Sequence, residues 1–330
     1  MSSQDGQTVP RRAQLREGLT WIADLVVHSY AQILFGSSRA VGTILLLATA
    51  VSPRAMLAGV GAIVLSAIIA RVLGFDHGEL RSGCFGYNAL LVGLGGSVLL
   101  KATYLGAAVT VVAVLSAVLL TVLLQGALDR ERHLPVLTLP FLGSFYLLLG
   151  VARVLLLERP PSHVALESQA VLAMVPWSSA QLYLRSLGAI FFLPRIETGL
   201  LVMLAIAVYS RFALLLSFVA FAVALAMLRQ VDMAWDGALP IVVGFNFILV
   251  AIAMGRVWLE PGWASFGYAI LALLVSGLLT IGLLPVLVRV GLPLLILPFN
   301  ATVLCLLYVM QRRVAGARPA LQLPRTGVNA

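Results

Sequence analysis

The octapeptide Leu134-Pro135-Val136-Leu137-Thr138-Leu139-Pro140-Phe141 returns 158 positions later as Leu292-Pro293-Leu294-Leu295-Ile296-Leu297-Pro298-Phe299, with six of eight residues identical. A proline inside an apolar run removes a backbone donor and crowds the carbonyl four residues earlier, so it disturbs a helix. A chain that places this disturbance twice, about half its length apart, reads as a duplicated unit. Other landmarks keep the spacing. Gly244-Phe245-Asn246 follows Gly86-Tyr87-Asn88 by 158, and Ile190, Phe192, Gly199 and Arg211 follow Ile33, Phe35, Gly42 and Arg54 by 157.

The runs around these landmarks exclude a water-soluble domain. Of 330 residues, 61% are hydrophobic and 11% are charged, against about 25% charged in a typical soluble domain. Mean hydropathy is +1.04. The apolar runs are continuous rather than alternating, so the fold class is an all-α polytopic membrane protein and not a β-barrel. Each half holds six apolar segments. We expect two inverted repeats, each of five transmembrane helices plus a re-entrant helix, over residues 17–157 and 181–312. A polar arm (1–16) precedes them, a linker (158–180) joins them and a basic tail (313–330) follows. No signal-peptide pattern precedes the arm. The positive charge, 21 arginines and Lys101, is spread over the breaks between runs, which suits membrane topology and not nucleic-acid binding. Arginines in both the arm and the tail predict that both termini are cytoplasmic.

No catalytic motif is present: no HExxH, GxSxG, Walker A or paired Cys-x-x-Cys. Cys84 and Cys305 give no ligand spacing and read as packing residues, and the histidines at 28, 77, 133 and 163 are scattered, so no metal or cofactor is expected. Asp24 with His28 reads as a local pair or cap. Polar residues at membrane depth are functional candidates because each needs a partner where there is no water. Gln32, Asn88 and Asn246 fall at the repeated landmarks, although an isolated amide also serves to satisfy a neighbouring helix end. Pro140 and Pro298 leave the carbonyls of Val136 and Leu294 without a helical donor, which predicts two rows of carbonyls lining a pore, with the Thr138 hydroxyl beside one row. A pair of kinked helices in a plain bundle is the alternative. Phe35 lies one turn beyond Gln32, and Phe192 one turn beyond Ala189. Together with Tyr87 and Phe245 these rings predict a narrow slot for a flat molecule.

On these motifs the chain resembles the urea transporter family. The two octapeptides, Gly86-Tyr87-Asn88-Ala89-Leu90-Leu91-Val92-Gly93, Gly244-Phe245-Asn246-Phe247-Ile248-Leu249 and Tyr30-Ala31-Gln32-Ile33-Leu34-Phe35 carry the resemblance, over roughly residues 17–312. It implies a passive urea channel in a bacterial inner membrane, a homotrimer with one pore per protomer and a small neutral solute as partner. It further implies Gln32 at one mouth, Phe35 with Tyr87 as one slot and Phe192 with Phe245 as the other. Leu91 and Leu249 would act through their carbonyls, and Thr138 would be the central hydroxyl. Two positions depart from the family pattern: Ala189 replaces a Gln or Glu, and Ile296 replaces a second Thr. These leave open a channel for another small amide or ammonia, or a sensor or scaffold with a closed pore.

Overall fold

The computed structural model describes residues 11–129, 134–158, 179–230 and 239–311, with side chains from Gly18 onward except at Leu19, His77 and Asp129. Most of the polar arm, almost all of the linker and the basic tail lie outside the described residues. The described residues form thirteen α-helices and two short π-helices, Gln125–Asp129 and Ala253–Val257. The first half forms α1 (Arg11–Gln32), α2 (Arg39–Ala50), α3 (Pro53–Val72), the short α4 (His77–Arg81), α5 (Gly86–Leu99), α6 (Tyr104–Leu124) and α7 (Leu139–Val154). The second half forms α8 (Ser179–Ala189), α9 (Ile196–Tyr209), α10 (Arg211–Gln230), α11 (Leu239–Ile252), α12 (Trp263–Arg289) and α13 (Leu297–Gln311). No strand occurs among the described residues; Leu100 and Glu158 form an isolated bridge.

Local chemistry sets the helix ends. Ser38 caps α2 by accepting from the Val41 amide at 3.5 Å. Thr103 caps α6 by accepting from the Gly106 amide at 3.1 Å. Pro53 opens α3 at a position where a missing N–H costs nothing. Among the described residues, five helices are long and apolar enough to cross a membrane: α3, α6 with its π-helical extension to Leu128, α10, α11 with its extension to Val257, and α12. Five shorter apolar helices, α2, α5, α7, α9 and α13, accompany them. The chain is thus a helical, multi-pass membrane protein.

Packing separates inner helices from outer ones. In α11, 78% of the apolar window is buried within the protein, against 28–39% for the other four long helices. Helix α11 is therefore walled in by protein, while those four turn a broad face outward. Helix α5 is inner as well, with Asn88 to Gly96 buried without a break. Helix contacts depend on missing side chains. A Cβ at Gly42 would overlap the carbonyl of Val27, and one at Gly199 the carbonyl of Leu184. Likewise Gly86 faces the Ser29 hydroxyl, and Gly244 that of Ser186. These close approaches seat α2 on α1, α9 on α8, α5 on α1 and α11 on α8.

Candidate functional site

The octapeptides lie at helix starts rather than within helices. Helix α7 opens at Leu139 and α13 at Leu297, so Pro140 and Pro298 occupy first turns, where no helical donor is required. Each of the two carbonyls expected to lack a helical donor accepts one bond from its turn: Val136 O from Leu139 N at 3.4 Å, and Leu294 O from Leu297 N at 3.3 Å. Leu137 and Leu295 have positive φ, 50° and 46°, a conformation that L-residues hold only when their surroundings impose it. Their carbonyls swing away from the helices they precede and need partners elsewhere.

Asn88 and Asn246 supply those partners. The Asn246 amide donates to Leu295 O at 2.7 Å and to Val242 O at 2.9 Å, and accepts from Phe299 N at 3.1 Å. Asn88 donates to Leu137 O at 3.4 Å and accepts from Phe141 N at 3.1 Å. The Tyr87 hydroxyl also donates to Leu137 O. Both amides are fully buried. Each therefore joins an inner helix to the turn and a first-turn amide of the helix beside it.

Aromatic rings cross between the halves. Phe35 and Phe192 take positive φ, 58° and 60°, which projects each ring beyond the end of its helix. Phe35 packs on Phe299 and Phe192 on Phe141, both at 6.0 Å between centroids, and Phe192 also meets Phe145 at 5.4 Å.

Beside these elements is a cavity of about 460 Å³. Of the fourteen residues singled out from the sequence, eight line it: Gln32, Phe35, Tyr87, Leu91, Val136, Thr138, Leu249 and Ile296. The other six do not. Asn88 and Asn246 stand behind the wall; Leu294 and Phe245 are buried, and Ala189 and Phe192 pack half-buried on the core. Several lining residues were not anticipated, among them Cys84, Thr121, Gln125, Ile190, Trp258 and Phe299. Cys84, expected to pack, does so against the cluster of Ala70, Leu80, Phe85 and Val118 and also lines the cavity; burial pushes its thiol pKa up. Gln125, a lone amide at the end of an apolar run, was the signal that could have revealed this wall.

Near the Gln32 end, the polar groups form a fixed cluster. Gln32 donates to Ser82 O at 3.2 Å, and the His28 ring contacts Arg81 O at 3.0 Å. Asp24 pairs with Arg39 at 2.9 Å and with Arg81. His28, read as its local partner, still acts on the Asp24 charge, while its ring Nδ1 lies 3.0 Å from the Arg81 carbonyl. The Arg81 hydrogen bond, aided by Arg39, holds the Asp24 carboxyl below its ordinary value. No group of His, Cys, Asp and Glu suited to a metal occurs among the described residues.

No curated protein matches the chain. A family model described as "UT: Urea transporter" matches residues 23–311, from the middle of α1 to the end of α13. The match takes in every residue of the cavity wall and identifies a transport family rather than an enzymatic one, with urea, a small neutral molecule, as the transported solute. On a match of that extent, the chain belongs to the urea transporter family.

Proposed function

We propose that the protein is a passive, channel-type urea transporter whose pathway runs through the cavity between the two octapeptides. The observation that carries this reading is the composition of the wall. The wall combines two amides (Gln32, Gln125), aromatic rings (Phe35, Tyr87, Phe299), the threonines Thr121 and Thr138, and the apolar Ile296. Urea is flat, neutral and rich in N–H groups, so it suits flat rings that exclude hydrated ions and oxygens that accept its protons.

The contacts recurring at offsets of 157–158 support two inverted repeats, 17–157 and 181–312, joined by the linker 158–180. The five long and five shorter apolar helices support ten crossings, with α1 and α8 as the re-entrant pieces. A homotrimer in a bacterial inner membrane with both termini cytoplasmic completes the reading, and cross-linking in native membranes tests it.

Stopped-flow light scattering on proteoliposomes tests the transport reading with urea, acetamide and ammonia. Urea flux no faster than bare lipid refutes it. Faster flux of acetamide or ammonia than of urea selects the alternative solute instead. Ile296→Thr restores a hydroxyl on the wall, and a net hydrogen bond of about 0.5–1.5 kcal/mol corresponds to roughly 2- to 10-fold in flux. Ala189→Glu, away from this wall, has the smaller effect. A channel that stays closed in the double variant favours the scaffold reading, for which Phe192 packed against Phe141 and Phe145 is the supporting observation.

A further inference from the structure

A second cavity, of about 320 Å³, lies on the flank of the first half and shares no lining residue with the pathway cavity. Helix α5 forms its floor, and α3 and α6 form its banks. Glycines on α5 set its depth. A Cβ at Gly93 would overlap the Ala58 carbonyl of α3, and one at Gly96 would stand 2.8 Å from the Thr110 hydroxyl of α6. On the banks, Gly61 and Ala107 are exposed, and a Cβ at Gly61 would meet nothing within 4 Å. The cavity is therefore a groove that opens toward the medium around the apolar faces of α3 and α6.

In the second half the same place is filled. The residues 158 positions after Ala58 and Gly96 are Leu216 and Met254, both buried, and the Leu216 Cδ1 would lie 2.5 Å from a Cβ at Gly255. The groove also offers little to water. Its hydroxyls Ser97 and Thr110 are turned back on their own helices, to Leu94 O at 2.7 Å and Gly106 O at 2.8 Å. An apolar groove open to a bilayer, without polar partners to hold water, takes up hydrocarbon.

One end is cationic. Arg54, in the first turn of α3, and Lys101, between α5 and α6, both line the groove and are exposed. Tyr104, at the start of α6, is 97% exposed, and a tyrosine so placed at a helix end suits the headgroup level of a membrane. Lys101 Nζ gives one bond to Leu156 O at 2.7 Å and keeps its charge and two further donors. Glu158, which bridges to Leu100, is paired with Arg153 at 2.9 Å. From Arg54 to Leu65 the groove follows α3 for eleven residues, about 16 Å of helix. That is half of a hydrocarbon core about 30 Å thick, the depth of one leaflet.

We infer that this groove binds an anionic phospholipid, one acyl chain lying between α3 and α6 and the headgroup phosphate held by Arg54 and Lys101. Length and charge together select this occupant: a groove one leaflet long, with two cations at one end, matches an acyl chain below a phosphate.

Lipid binding can be read without reference to the transported solute. The purified protein in mild detergent is given phosphatidylglycerol or phosphatidylcholine, and native mass spectrometry counts the lipid retained per chain. The wild type retains one phosphatidylglycerol in preference to phosphatidylcholine. Arg54→Gln and Lys101→Gln each lower that preference roughly 5-fold, the effect of one basic residue at a membrane surface. Arg211→Gln, at the start of α10, leaves it unchanged. Gly61→Leu places a side chain in the groove without meeting protein, and the retained lipid of either kind is lost. Ala58→Leu, which copies the second half, serves if the first variant is not monodisperse. Undiminished retention in the groove-filling variants overturns the inference, as does an equal loss of preference in Arg211→Gln. A filled groove that changes the number of chains per assembly while lipid retention persists also overturns it, and identifies the face as a contact between copies.

Discussion

Replacing Asn246 by leucine removes a buried amide at nearly constant volume, and the hydrogen bonds around it set the cost. Leu295 O loses its donor and Phe299 N its acceptor, while Val242 O remains within α11. Two buried backbone groups are orphaned, at about 1–3 kcal/mol each, or roughly 2–6 kcal/mol together. The same change at Asn88 orphans only Phe141 N, because the Tyr87 hydroxyl still donates to Leu137 O; the cost is about 1–3 kcal/mol. Hydrogen bonds measured within membranes average nearer 0.6 kcal/mol, which shrinks both values but keeps their order. The assay is the apparent melting temperature of purified protein in mild detergent. Asn246→Leu lowers it about twice as far as Asn88→Leu, and Tyr87→Phe combined with Asn88→Leu closes the gap. Equal losses from the two single substitutions, or a double variant no worse than Asn88→Leu, would refute the reasoning.

Alanine at Gly42 or Gly199 drives a methyl into the carbonyl of Val27 or Leu184. Overpacking of about 1–3 kcal/mol or more is expected at each, seen as loss of monodisperse protein on size exclusion, while alanine at Gly61, with nothing within 4 Å, is silent. The Asp24 carboxyl, held by Arg81 and Arg39 below its ordinary value of 3.8, stabilises the fold fully above that value and loses the contribution as pH falls through its depressed folded value. Asp24→Asn therefore melts earlier than wild type near neutral pH, and the difference shrinks on acidification; a difference that grew would contradict the assignment.

Much of this could be read from the order of residues because membranes leave few choices. Long apolar runs must form helices to satisfy their backbone, and a motif repeated at a constant offset brings the same local geometry with it. Thus Asn88 and Asn246 perform the same clamp, and Phe35 and Phe192 end their helices in the same left-handed turn. Local features such as the placement of Gln32, Tyr87 and Thr138 along their segments therefore pointed to a wall that they do share.

Contacts between distant segments were decided only by packing. The proline motif suggested carbonyls of Val136 and Leu294 freed for a pore; in three dimensions the prolines lie in the first turns of helices, and each of those carbonyls accepts one bond from a turn amide. Asp24 suited His28 by spacing and does interact with it, but its ion pairs are to Arg39 and Arg81, from segments that spacing does not bring to it. Asn300 carried no signal beyond standing where the first half has Leu142, and only the fold sets it against Thr138, 162 residues away. Helix formation and membrane insertion follow from composition and periodicity, which are properties of each segment alone. The pairing of Thr138 with Asn300 depends on how the two halves close on each other, which no segment determines alone.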